Sequence, residues 1–221
     1  MNKAILLLSG GLDSLVSLGL SKATGQYDVK LAITFDYGQK TAEAEIATSE
    51  KICKYYNIEH KVIKLDWLKD ITQSSLVVDE NRNNSDEITS LWVPNRNSLF
   101  LNIAACFCDS LGIKYIIFGA NKDEADLFTD NTEDFRCKIS DTFKFSTIVQ
   151  AEVVAPLINY TKDDIVKIAV KHSIPLELVK SCYYSNTKHC GECKSCIFLK
   201  QALIANNCEY YIDILFDKNE N

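Results

Sequence analysis

Breakers of regular structure are scarce in this chain: three prolines and eight glycines in 221 residues, with no low-complexity run or internal repeat. That scarcity argues against long disordered segments and solenoid architectures. No apolar stretch approaches transmembrane length, which excludes a membrane-spanning helix. Positive charge is also in short supply, with 24 Lys and Arg against 30 Asp and Glu and a net charge of −6. Broad attraction to nucleic acid or to an anionic bilayer is therefore not expected. No secretory leader is expected either, because Met1-Asn2-Lys3 precedes an apolar run too short for one. Nine cysteines in such a chain point to a reducing cytoplasm, where they serve as core fillers or metal ligands rather than as disulfides.

Hydrophobic residues make up 47% of the chain, enough for one α/β domain with an appendage. The chain is organised around its amino-terminal stretch. Ala4 to Leu8 is a continuous apolar run that reads as a buried parallel strand. Ser9-Gly10-Gly11 breaks it, and Asp13-Ser14 opens a segment with Leu15, Leu18 and Leu20 on a helical period. Strand, glycine turn and helix start together form a phosphate cradle. Glycines let backbone N–H groups crowd an anion, and the helix amino terminus adds its positive dipole end. No Gly-Lys-Ser/Thr and no G-x-G-x-x-G follows, so neither common nucleotide loop is present. Ser9-Gly10-Gly11-Leu12-Asp13-Ser14 instead resembles the SGGxDS signature of the PP-loop ATP pyrophosphatases. The resemblance implies a loop that holds the β- and γ-phosphates while a substrate attacks the α-phosphorus.

Further strands are read at Lys30–Phe35, Lys61–Leu65, Tyr115–Gly119 and from Glu152, with helices at Thr41–Tyr56, Ser98–Leu111 and between Asn131 and Ile148. Thr161 is an N-cap candidate for a helix from Lys162 to Lys171. The alternation predicts an α/β fold with a five-stranded, doubly wound parallel sheet in the order 3-2-1-4-5, and the cysteines near the carboxyl end add a zinc-binding helical appendage. Residues 1–160 form the PP-loop domain in this reading, 66–92 a flexible insertion or lid, and 161–221 the appendage. Ligands bind where strand order reverses. This places Ser9 to Ser14, Asp36 to Gln39 and the segment after Gly119 around one crevice. Arg96, after Val93-Pro94-Asn95, is delivered to the start of its helix, where a permanent cation meets phosphate or carboxylate.

Cys182 is followed after seven residues by Cys190, and Cys193 and Cys196 then come at two-residue gaps. Four thiolates make a closed tetrahedral site without an open position for water, so one structural Zn2+ is predicted at Cys182, Cys190, Cys193 and Cys196. His189 is an alternative fourth ligand, and a redox C-x-x-C is the competing reading.

Five motifs now resemble a single family, the 7-cyano-7-deazaguanine synthases of the QueC group. They are the loop, Phe35-Asp36-Tyr37-Gly38-Gln39, Val93-Pro94-Asn95-Arg96-Asn97, Pro175 to Tyr183, and the cysteine run. The resemblance implies an ATP-dependent ligase that adenylates the carboxylate of 7-carboxy-7-deazaguanine and joins it to ammonia, giving the nitrile precursor of queuosine and archaeosine. It implies ATP contacts from Leu8, Ser9, Gly10, Gly11, Leu12, Asp13, Ser14, Phe35, Asp36, Gly38, Arg96 and Gly119, with Mg2+ near Asp13. Ser9, Asp13, Ser14 and Lys162 take the catalytic roles. Arg96, Asn97, Phe128 and Asp130 face the acceptor, with Phe128 stacking on its ring and Asp130 reading its amino and imino groups. A homodimer is implied, with no direct nucleic-acid partner and no membrane.

The departures cluster on the acceptor side. The family's GYPDCR-x-x-F is Leu127-Phe128-Thr129-Asp130-Asn131-Thr132 leading to Phe135, its Thr-Trp before Ser-Cys-Tyr is Val179-Lys180, and Thr41 and Lys200 replace a histidine and an arginine. Two other readings accompany this one. One is a QueC-like ligase that stops at an amide, joining a deazaguanine acid to a small-molecule or protein amine in an antiviral system. The other is a non-catalytic ATP-sensing module. A tRNA-modifying PP-loop enzyme fits poorly with the acidic balance.

Overall fold

The computed structural model describes residues 1–78 and 88–217. Five strands form one parallel sheet: β1 (Asn2–Leu7), β2 (Tyr27–Asp36), β3 (Glu59–Lys64), β4 (Tyr115–Ile117) and β5 (Glu152–Val154), in the spatial order β3-β2-β1-β4-β5. Central β1 pairs with β2 on one side, Leu6 opposite Ala32, and with β4 on the other, Leu6 opposite Ile117. The predicted order therefore holds, with β3 and β5 at the edges. The crossover helices are α1 (Leu12–Thr24), α2 (Ala42–Tyr56), α3 (Arg96–Leu111) and α5 (Glu133–Ser146), with a single-turn α4 (Lys122–Ala125) before α5. α6 (Lys162–Lys171), α7 (Lys194–Ala205) and α8 (Tyr210–Leu215) follow β5.

The unbroken apolar run of β1 reflects helices on both faces. Ala4, Leu6 and Leu8 point into one hydrophobic cluster, and Ile5 and Leu7 into the other. Successive strand residues face opposite sides, and both sides here are dry. The first cluster continues through Leu15 and Val16 of α1 to Ile165 and Val166 of α6, Leu199 and Leu203 of α7, and Leu215 of α8. The residues beyond 160 thus share their core with β1 and α1. Gly19 in the middle of α1 shows how close the approach is. A Cβ there would meet Ile174 Cδ1 at 2.6 Å, and that steric demand outweighs the helix penalty of about 1 kcal/mol for glycine.

Within the expected insertion, Asp66–Ile71 and Ile88–Leu91 are 3-10 turns. Ser75 N–H donates to the Ser90 carbonyl at 2.8 Å, and Lys40 N–H donates to the Leu76 carbonyl at 2.9 Å. Residues 79–87 of the expected lid lie outside the described residues. Among the described residues no helix is long and apolar enough to cross a membrane.

Candidate functional site

The segment Ser9 to Ser14 leaves the carboxyl end of β1 at the point where strand order reverses, the position that collects ligands in such sheets. It is braced by its own hydroxyls. Gly11 N–H donates to Ser9 Oγ at 3.3 Å, Ser9 N–H donates to Ser14 Oγ at 3.4 Å, and Ser14 Oγ–H donates to the Gly11 carbonyl at 3.1 Å. Gly10 has φ +77°, and a Cβ on it would come within 2.9 Å of Thr48 Cγ2, so both backbone and space demand glycine there. Gly119, at the end of β4, lets that chain pass the start of α1, since its Cβ would lie 3.1 Å from Ser14 N.

Asp13 sits in the first turn of α1. Its Oδ2 accepts from Lys162 Nζ at 2.6 Å, and Glu124 Oε1 accepts from the same ammonium at 2.8 Å. Lys162 begins α6, where Thr161 and Asp164 form a capping box and Asp123 accepts the Lys162 N–H at 2.7 Å. Capping at this turn fixes the stem of the lysine, and two acids fix its head. One ammonium between two buried carboxylates compensates them unequally. Burial, only partly offset by Lys162, pushes Asp13 up to about 6. In Glu124 the attraction of Lys162 outweighs burial and holds the acid below its ordinary value. The lysine itself is raised, because two carboxylates outweigh its own burial. Asp13 Oδ1 is buried and has no hydrogen-bond partner among the described residues.

A cavity of about 250 Å3 opens over these groups. The expected residues Leu8, Ser9, Gly11, Asp13, Ser14, Phe35, Arg96, Asn97, Gly119 and Lys162 line it together. Gly10, Leu12, Asp36, Gly38, Phe128 and Asp130 are not in its lining. Several of these serve the loops behind it: Asp36 Oδ1 accepts from Gly38 N–H at 3.2 Å, and Gly38 adopts φ +84° against Lys69. Phe128 stacks on Trp92 with ring centroids 6.2 Å apart. Asp130 accepts from Asn131 Nδ2 at 3.2 Å and feels the charge of Arg96, although burial still raises its pKa.

Tyr37, Glu45, Phe100, Glu124, Asn131 and Ser181 also line the cavity and were not singled out from the sequence. Arg96 donates to Tyr37 Oη at 3.1 Å and lies over its ring. Phe35 and Phe100 stack face to face at 3.9 Å. Glu45 accepts from Thr41 Oγ1 at 2.7 Å and Gln39 Nε2 at 3.1 Å, and its burial raises its pKa. Tyr37 and Ser181 lie inside quoted motifs, and Asn121 caps the turn holding Glu124 by accepting its N–H at 3.0 Å, a signal legible in the sequence. Phe100 and Glu45 sit on helices whose patterns announce only packing.

Cys182, Cys190, Cys193 and Cys196 come together with their sulfurs all within 4.8 Å of one another. The Cys190 and Cys196 sulfurs are 3.8 Å apart, the edge of about 3.8 Å that tetrahedral Zn–S bonds of about 2.3 Å generate. Hydrogen bonds from Cys193 and Cys196 hold Cys182 well below the usual thiol range and push those two donors up. The alternative of His189 as a ligand does not hold. Its Nε2 accepts from Ser181 N–H at 2.9 Å, and its Nδ1 lies 3.1 Å from the Leu215 carbonyl, so both ring nitrogens are engaged. The cluster also borders the cavity, whose lining includes Cys182, Tyr183 and Ser195.

A model of the family described as "Queuosine biosynthesis protein QueC" matches residues 3–207. The chain is 43% identical over 213 residues to the 7-cyano-7-deazaguanine synthase of Carboxydothermus hydrogenoformans, covering 91% of this chain and 98% of that one. It is 42% identical over 211 residues to the protein of the same name from Methanosarcina mazei, covering 88% and 90%. Among solved structures it resembles the U34-tRNA thiolase NcsA from Methanococcus maripaludis, with a TM-score of 0.53, 20% identity and coverage of 97% of this chain and 71% of that one. That last likeness is one of fold.

Proposed function

Because this chain belongs to the QueC family of queuosine biosynthesis proteins, we propose that it is an ATP-dependent carbon–nitrogen ligase that converts 7-carboxy-7-deazaguanine, ammonia and ATP into 7-cyano-7-deazaguanine. The observation that carries the reading is that one cavity is lined by Ser9 and Gly11 of the loop, by Asp13 and Lys162, and by Arg96. Such a cavity receives a triphosphate and an acid together.

The chemistry follows from leaving groups. A carboxylate cannot expel oxide, so its oxygen attacks the α-phosphorus, pyrophosphate departs and an acyl-adenylate forms. Ammonia attacks the carbonyl carbon, AMP leaves and an amide results. The amide oxygen attacks the α-phosphorus of a second ATP and pyrophosphate departs; loss of AMP and two protons then leaves the nitrile. The protein's task is alignment and neutralisation of charge. The glycine turn and the positive end of the α1 dipole receive the phosphates. Lys162 supplies a cation at the reacting phosphate, and Arg96 clamps the acid. Ser9 and Ser14 keep the loop in shape, Gly119 borders the nucleotide and Asn97 the acceptor, and Asp130 acts through the charge of Arg96. The orphaned Asp13 Oδ1 fits a divalent cation ligand. Asp13 would hold Mg2+, which when bound offsets phosphate charge. The cysteine tetrad would hold Zn2+ as a structural ion. The nine cysteines, all free, suit a reducing cytoplasm, and the enzyme works there as a homodimer.

The test is incubation with 7-carboxy-7-deazaguanine, ATP and ammonium, following pyrophosphate release and product mass. Acid-dependent pyrophosphate with a nitrile product is expected. An amide as the end product, or no dependence on the acid, overturns the assignment.

A further inference from the structure

The segment leading into the cysteine tetrad does more than reach it. Lys180 N–H donates to the Gly10 carbonyl at 2.8 Å, and Ser181 Oγ accepts the Leu12 N–H at 3.3 Å. Ser181 N–H in turn donates to His189 Nε2, whose ring is 1% exposed and bonded to the Leu215 carbonyl. The Lys180 ammonium donates to the carbonyls of Thr187 at 2.8 Å and Lys188 at 3.3 Å, so the strap is pinned to the segment that carries Cys190. Cys182 follows at once.

The serines of the site differ in what their hydroxyl protons do. Ser14 spends its proton on the Gly11 carbonyl. Ser181 Oγ is loaded as an acceptor by Leu12 N–H, and among the described residues its own proton has no acceptor, while the residue lines the cavity. A hydroxyl with its lone pair engaged and its proton unspent, at the first turn of α1, is a donor awaiting an anion.

We propose that Ser181 is a phosphate-contacting residue of the nucleotide site, brought there by the Lys180–Cys182 strap, so that the grip on ATP depends on closure of the cysteine tetrad. The inference rests on the ATP reading above and adds to it a residue from the far end of the chain. It makes the tetrad one wall of the nucleotide site. A metal that draws Cys182, Cys190, Cys193 and Cys196 together would hold Ser181 against Leu12.

The experiment measures binding of ATP and of adenosine by calorimetry to the full chain and to Ser181→Ala. The expected result is about tenfold weaker ATP binding, the scale of one hydrogen bond to a charged group, with adenosine binding unchanged. Equal ATP binding by the two proteins, or an equal loss for adenosine, overturns the contact. A wild-type chain that binds no ATP would instead end the functional reading itself. Hydrogen exchange of the Leu12 amide tests the coupling. It should quicken in Ser181→Ala and in wild-type protein treated with a zinc chelator, with the amides of β1 and β2 still protected. An unchanged Leu12 on metal removal, or a loss of protection that spreads through the sheet, overturns it.

Discussion

Two parts of the cavity are built by opposite means. One is continuous: Ser9 to Ser14, a single strand-to-helix turn in which Ser9, Gly11 and Ser14 bond to one another. The other is assembled from Tyr37, Arg96, Glu124 and Asn131, delivered by four separate segments. The continuous part needs only the backbone to turn correctly, and its shape travels with its sequence. The assembled part needs the whole sheet, because each of its side chains is placed by a different crossover. The loop resembles the SGGxDS signature at every position, whereas Leu127 to Thr132 departs from the segment the resemblance implies. A scattered wall tolerates exchange of one member when its neighbours hold their positions.

The sharpest way to break this contrast is to remove the charge that both parts share. Asp13→Asn leaves Lys162 with Glu124 alone, and acid-dependent pyrophosphate release should fall about 10^3-fold, with a native circular dichroism spectrum to exclude unfolding. Activity within tenfold of the native protein would take Asp13 out of the chemistry. Next in size, Arg96→Ala should lower kcat/KM for the deazaguanine acid about 10^2-fold, as loss of a buried charged partner does. The dissociation constant of ATP should change far less. The reverse pattern, measured by steady-state kinetics and calorimetry, would move Arg96 from the assembled acceptor wall to the nucleotide side.

A smaller effect is expected from pH. Because burial raises Asp13 to about 6, the carboxylate is ionised above that value and takes up a proton as pH falls through it. Affinity for Mg–ATP should weaken by up to about tenfold per unit below pH 6, the limit for one proton, and Asp13→Asn should abolish the slope in a titration between pH 5 and 8. Smallest of all is Phe128→Ala. The ring stacks on Trp92 outside the cavity lining, and KM for the acid should shift by no more than about threefold. A tenfold rise would make the aromatic pair a part of the acceptor wall that closes on binding.

Much of this molecule is legible in its sequence alone. The apolar run of Ala4 to Leu8, the glycine turn and the Asp13-Ser14 start are local signals, and they led to β1, the cradle and α1. Alternating strand and helix signals led to the order β3-β2-β1-β4-β5. Thr161 with Asp164 is a cap readable at three-residue spacing, and the cysteine spacing announced the tetrad. Glu124 as the second partner of Lys162, Tyr37 under Arg96, and Phe100 against Phe35 were not legible in the same way. Each depends on where a remote segment crosses.

By itself, then, the sequence determined every feature whose partners lie within a few residues: strand, turn, cap and ligand spacing. Only the tertiary structure decided which distant groups meet. It engaged both nitrogens of His189 and so removed that ring from the metal, and it brought Lys180 to Cys182 against the loop at Gly10 to Leu12. The physical reason is that backbone geometry fixes contacts along the chain, whereas contacts between distant segments are set by how two hydrophobic faces pack on one sheet.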